Sequence, residues 1–441
     1  MKNGLLTLTA AGMFLLIAVS CKKTQEQPTS ASSNLTEKEQ VKELSTTPMA
    51  KAINLPASLA LSANTQVPVI FVHGFLGFGP DEAFSAFHYW GGLTDVVKDL
   101  NNQGYVAYAA SVGPISSNWD RAIELYYYIK GGTPDYGMLH SSKFGHKQQV
   151  TRRYKGVYPQ WDEKHPISLI GHSMGGTTIR KLITLLEKGD TQEQGDAGSS
   201  SLFAGNKRGW IKSAVSISTP HNGTSLTNIF GVGSSTFMLD ALNSVASLAG
   251  GFGSNSLYDF DLDQWGLERN PKTTNFFTYY DQVKQSRLWT TKDSAPYDLS
   301  PALSQERNQI DLDSKDVYYF SVTTSCTSPG ILTGREYPSP FTFPVLYPLA
   351  LSMGNYLSNE PGKTNFDSKW WPNDGIVNVY GENGPSNGII REYNANAMLQ
   401  KGVWNHLGIY HGYDHAAIIG IGTLIDVKPF YRNLARLITS L

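Results

Sequence analysis

The feature that most narrows the fold is an apolar run that breaks into a glycine-rich turn around a serine. Ile167-Ser168-Leu169-Ile170 is followed at once by Gly171-His172-Ser173-Met174-Gly175-Gly176. The pentapeptide fits G-x-S-x-G, which fixes only three positions and says little alone. Its setting says more, because an apolar strand leads in and a small-residue start to a helix leads out. Strand, sharp turn and helix are what a nucleophile elbow requires, since the turn leaves no room for side chains beside the serine. The free amides at the start of the helix then face the reacting centre. Ser173 is the expected nucleophile.

Similar apolar runs recur along the chain. Val67 to Val72 ends in His73-Gly74-Phe75, and Gly104 to Ala110, Ser213 to Ser218 and Val317 to Val322 read as further strands. Helix-like stretches lie between them, among them Trp119 to Lys130 and Thr177 to Glu187. Strands alternating with helices predict an α/β domain with a mainly parallel sheet covered on both faces. A formal net charge of -1 offers no basic face, which excludes nucleic acid as a partner. The cysteines are Cys21 and Cys326. With Cys21 used as described next, a disulfide scaffold is excluded.

The chain opens with Lys2 and an uncharged, mostly apolar run from Leu5 to Val19, too short for the roughly 20 residues of a spanning helix. It ends in Ala18-Val19-Ser20-Cys21, so residues 1–20 read as a signal peptide. The small residue before a cysteine resembles the lipobox of bacterial lipoproteins. That resemblance implies acylation of Cys21 and an exported protein, outer-membrane anchored or extracellular. Residues 21–66 are polar and poor in large apolar groups, as in a flexible tether, with a coil span of about 35–40 Å. The folded domain is expected over 67–441.

A serine nucleophile needs a base, and the base needs an orienting acid. In an α/β hydrolase they follow in the order Ser, Asp/Glu, His. Asp374, in Pro372-Asn373-Asp374-Gly375, and His415, in Tyr413-Asp414-His415-Ala416, fit that order. Asp-Gly is also a common turn, and His415 also reads as a core histidine. His406 and His411 rival it as the base, and Asp414 rivals Asp374 as the acid. The oxyanion hole needs two backbone amides. Those of Met174, just after the nucleophile, and Phe75, in the loop after the first strand, are expected to supply them. From Ser225 to Tyr258 the only charged residue is Asp240, amid scattered large apolar side chains. The stretch reads either as a buried helical hairpin or as a lid over an acyl-chain pocket, hinged at glycines such as Gly231 and Gly250.

Beyond these readings the chain resembles the staphylococcal lipases and the thermoalkalophilic Bacillus-type lipases. The resemblance rests on HGFLGFG (73–79), YWGG (89–92), GPISSNWDRA (113–122), DYGMLHSSKFGH (135–146), GHSMGG (171–176), TPHNGT (219–224), YDFDLDQWGL (258–267), NDGIVN (373–378), KGVWN (401–405) and YDH (413–415). It implies an α/β-hydrolase fold with a zinc-bearing insertion and a helical lid. It also implies Ser173, Asp374 and His415 as triad, with the amides of Phe75 and Met174 as oxyanion hole. Taken singly, Asp120, His140, His146 and Asp263 are ordinary polar residues whose spacing is no recognised zinc pattern. The resemblance implies that they ligate one structural Zn2+. The family's calcium site is expected to be absent, because Ala417, Gly422-Thr423 and Pro340 or a neighbour stand where oxygen ligands are needed.

The expected activity is that of a secreted lipase or carboxylesterase acting on acyl esters. Triacylglycerols fit best, and phospholipids, short esters and polyesters remain open to the same chemistry. The readings from other classes are a surface-binding lipoprotein on an inactive hydrolase fold, and metal-dependent hydrolysis.

Overall fold

The computed structural model describes residues 64–80, 87–195, 199–231, 258–270 and 272–441. The expected signal peptide, Cys21, the expected tether up to residue 63 and residues 232–257 of the expected lid lie outside these. Among the described residues no helix is long and apolar enough to cross a membrane.

Among the described residues nine strands follow in chain order: β1 Val69–Val72, β2 Ala107–Ala110, β3 Ile167–His172, β4 Ile211–Ile217, β5 Tyr318–Ser325, β6 Thr327–Pro329, β7 Glu336–Pro338, β8 Ile389–Glu392 and β9 Val403–His411. Seven form one sheet in the order β2-β1-β3-β4-β5-β9-β8, and every pairing within it is parallel. The expected α/β architecture is therefore present. β6 and β7 form a separate antiparallel hairpin.

The four residues of β1 are all fully buried, because a parallel sheet with both faces covered turns each strand into a continuous apolar run. Val69 and Phe71 point into a core shared with Tyr431 and Leu434 of the C-terminal helix Lys428–Thr439. Ile70 and Val72 point into the opposite core. There they meet Ile123 of one helix and Ile179 and Leu182 of another. The helices needed below are α1 Val96–Asn102, α2 Asn118–Lys130, α3 Met138–Phe144 and α4 Met174–Lys188.

The strand order places the site. From β1 the chain moves outward to β2, then returns past β1 to β3 and continues the other way. In open parallel sheets such a reversal opens a crevice beyond the carboxyl ends of the two central strands. The loop leaving β1 and the turn leaving β3 meet there.

Candidate active site

Ser173 joins β3 to α4 with φ 56° and ψ -131°. A non-glycine residue held there stores roughly 1–3 kcal/mol of backbone strain, and such strain gathers at functional sites. Its neighbours are glycines for a steric reason. A Cβ on Gly171 would stand 2.5 Å from the carbonyl carbon of Gly175, and one on Gly175 would stand 2.1 Å from the carbonyl oxygen of Val72. A Cβ on Gly74 would stand 2.6 Å from Ser173 Cβ and 3.1 Å from its Oγ, so the loop after β1 lies directly against the serine. That loop is held from behind: buried Arg121 donates to the carbonyls of His73 and Gly113, and Leu76 N–H donates to Pro114 O at 2.9 Å. The Phe75 amide has no hydrogen-bond acceptor among the described residues. Met174 is the first residue of α4, where amides have no partner within the helix.

Asp374 and His415, far apart in sequence, are brought together. Nδ1–H of His415 donates to Asp374 Oδ2 at 2.6 Å, and the His415 amide donates to the Asp374 carbonyl at 2.9 Å. Asp374 is fully buried. Its Oδ1 accepts from the amides of Ile376 (3.0 Å) and Val377 (2.7 Å), while Oδ2 also accepts from Thr324 Oγ1 at 2.9 Å. The rivals are otherwise engaged. Asp414 spends its oxygens on the amides of Phe343, Ala416 and Ala417. His406 sits within β9 between Glu392 and Thr323, and His411 is exposed at its end. The His415 ring lies 4.5 Å, centroid to centroid, from that of His172, the residue before the serine. Ser173 Oγ makes no hydrogen bond to the imidazole here; in ligand-free sites such bonds are often long and tighten only with substrate.

Two residues that the sequence reading passed over tie the halves of this site together. His172 Nε2 lies 3.0 Å from the carbonyl oxygen of His415. A carbonyl can only accept, so Nε2 carries the proton. Nδ1 must then accept from the Tyr89 hydroxyl at 2.7 Å, whose oxygen in turn accepts the Gly74 N–H at 2.8 Å. Burial pushes the His172 imidazole well below its usual range, which keeps it neutral and the chain of donors unique. The loop against the serine and the loop bearing His415 are thus joined through one buried tyrosine–histidine strut. Tyr89 and His172 both lie in stretches that carry the resemblance, YWGG (89–92) and GHSMGG (171–176), yet the sequence gives no sign that they touch.

A second cluster lies apart from the serine. Asp120 on α2, His140 on α3, His146 just after it and Asp293 present ligand atoms all within 4.8 Å of one another. His140 Nε2 and His146 Nε2 each lie 3.2 Å from Asp293 Oδ2, and His140 Nε2 lies 3.4 Å from Asp120 Oδ1. His146 donates Nδ1–H to the Lys147 carbonyl at 2.9 Å, leaving Nε2 to face the cluster. Asp120 Oδ1 and His146 Nε2 are sealed from solvent without a hydrogen bond. Two orphaned buried atoms aimed at one point, from a two-imidazole, two-carboxylate set, fit a bound dication.

The structure gathers Asp293, not the expected Asp263, with Asp120, His140 and His146. Arg152 grips Asp263 through two hydrogen bonds, of 3.0 and 3.1 Å, leaving neither oxygen for a metal. Asp263 contributes only nearby, since the following Gln264 donates to Asp120 Oδ2 at 2.9 Å.

Comparison with known proteins gives a consistent result. A family model described as "Lipase-like, C-terminal domain" matches residues 65–441. The chain is 35% identical over 383 residues to Lipase 1 of Staphylococcus aureus, covering 84% of this chain and 54% of that protein. It therefore spans about half the length of the curated relatives it matches. Among solved structures, EstA from Clostridium botulinum is 41% identical with a TM-score of 0.79, covering 87% of this chain and 89% of that one. Lipase 1 from Pelosinus fermentans is also 41% identical, with a TM-score of 0.74 and coverage of 85% and 99%.

Proposed function

The chain belongs to the lipase family whose C-terminal-domain model it matches over residues 65–441, and from that premise we propose that it hydrolyses carboxylic acyl esters by a serine mechanism. His415 takes the proton of Ser173, whose oxygen attacks the ester carbonyl. Asp374 holds the imidazolium in place, and the Phe75 and Met174 amides receive the developing oxyanion. The alcohol leaves with the proton from His415, and water repeats the cycle on the acyl-enzyme. The observation that carries the reading is the 2.6 Å bond between His415 Nδ1 and the buried Asp374, beside a serine held in a strained turn.

Long acyl chains are the substrate class that best suits the apolar composition of the stretch 225–258. Asp120, His140, His146 and Asp293 would hold zinc. Four protein ligands leave no open position, so the ion would tie α2 and α3 to the segment around Asp293 rather than activate water. Acylation of Cys21 would keep the enzyme at a membrane surface.

The test is a series of p-nitrophenyl esters and acylglycerols of increasing chain length. Turnover of both classes, with longer acyl chains accepted, is expected. A folded protein inert toward every ester would leave only the binding-lipoprotein reading.

A further inference from the structure

Beside Asp374 lies a second carboxyl that the hydrolytic mechanism does not use. Glu382 is fully buried. Its Oε2 accepts the Thr324 N–H at 2.9 Å, while Oε1 is sealed from solvent without a hydrogen-bond partner. Thr324 lies between the two acids: its backbone serves Glu382, and its Oγ1 donates to Asp374 Oδ2 at 2.9 Å. Ser218 Oγ lies 2.6 Å from that same Oγ1.

Two neighbouring carboxyls buried from solvent cannot both readily carry charge without a cation between them. Among the described residues no lysine or arginine forms an ion pair with either, and the imidazole of His415 is the basic group in contact. The donors decide which acid is ionised. Asp374 receives four: the amides of Ile376 and Val377, the Thr324 hydroxyl and the His415 N–H. Glu382 receives a single amide. The charge therefore rests on Asp374 and the proton on Glu382. Burial, then the charge of Asp374, hold Glu382 well above the usual carboxylate range. The remaining nearby acid, Asp414, is saturated by three backbone amides. What Glu382 holds is the Thr324 backbone, and the hydroxyl of that same residue donates to Asp374.

We propose that Glu382 is a positioning residue: a neutral carboxylic acid that accepts the Thr324 amide and so fixes the Thr324 hydroxyl on Asp374, holding the acid that orients His415 and limiting the basicity of that pair. The proposal rests on the reading of Asp374 and His415 as acid and base. It predicts a purely indirect role, visible in kcat and in the acid limb of the kcat/KM profile rather than in KM.

The experiment compares wild type, Glu382→Leu and Glu382→Gln, with Ser173→Ala as control. Glu382→Leu is expected to lower kcat about tenfold with KM within about twofold, and to move the acid limb to higher pH. Glu382→Gln, neutral and still able to accept the Thr324 amide, should restore most of the rate with the limb at its wild-type position. A wild-type rate and limb in Glu382→Leu would overturn the proposal. So would a downward shift of the limb in Glu382→Gln, the sign of a lost negative charge. Should Glu382→Leu not fold, infrared spectroscopy at neutral pH decides. A protonated-carboxyl band present in wild type and missing from Glu382→Gln supports the proposal, and its absence from wild type refutes it. Full activity in Ser173→Ala would instead strike down the serine mechanism itself, while the infrared result would still report where the Glu382 proton resides.

Discussion

Ser173→Ala is expected to lower kcat by at least about 10⁴-fold while KM changes little, because the serine forms the bond that splits the reaction into two steps. The residual rate should be the small acceleration that oxyanion donors and binding supply without a nucleophile. Loss of fold would not account for the effect. Ser173 holds φ 56° and ψ -131°, where glycine is at ease and other residues are strained. Ser173→Gly should therefore be as inactive as the alanine variant yet melt at a higher temperature than wild type. The pair separates catalysis from stability: rates on a soluble ester fall in both, and thermal melts rise only for glycine. Substantial activity in either variant would point to another nucleophile or to metal-dependent hydrolysis.

The second large effect concerns the metal cluster. Purified protein is expected to carry about one zinc per chain, and Asp293→Asn should lose it while Asp263→Asn keeps it. The contrast follows from the partners: Asp293 faces both imidazoles, whereas Asp263 is occupied by Arg152. Removing the ion leaves buried carboxylates and imidazoles facing one another with orphaned atoms. An ion present at a thousand times its dissociation constant stabilises the folded state by about 4 kcal/mol, so chelation should lower the melting temperature markedly. Ester hydrolysis well below that temperature should persist, since the cluster does not include the serine. Zinc retained in Asp293→Asn, or lost in Asp263→Asn, would contradict this assignment.

These two sites also show what was legible in the sequence. The elbow could be read because its constraint is local. An apolar strand, glycines at the crowded positions and a helix start all lie within one short stretch, and the space around Gly171 and Gly175 bears that out. The five strands and two helices expected around it correspond to β1 to β5, α2 and α4. β8 went unread because it is a short edge strand, partly exposed and without alternation, and β9 because its polar Asn405 and His406 interrupt the apolar pattern. The fourth member of the carboxylate and imidazole cluster was misplaced for a different reason. Asp263 and Asp293 are equally plain in sequence, and only the fold decides which one meets Arg152 and which meets the histidines. The roles of Tyr89, Thr324 and Glu382 could not be read for the same reason, since they exist only as contacts between distant segments.

The central claim, that Ser173 is the nucleophile, is tested most directly by labelling with a p-nitrophenyl alkylphosphonate followed by peptide mass mapping. One equivalent of p-nitrophenolate should be released per chain, with a single phosphonyl adduct on the peptide carrying Ser173 and far slower labelling in His415→Ala. An adduct on any other residue, or none on a folded and active protein, would contradict it.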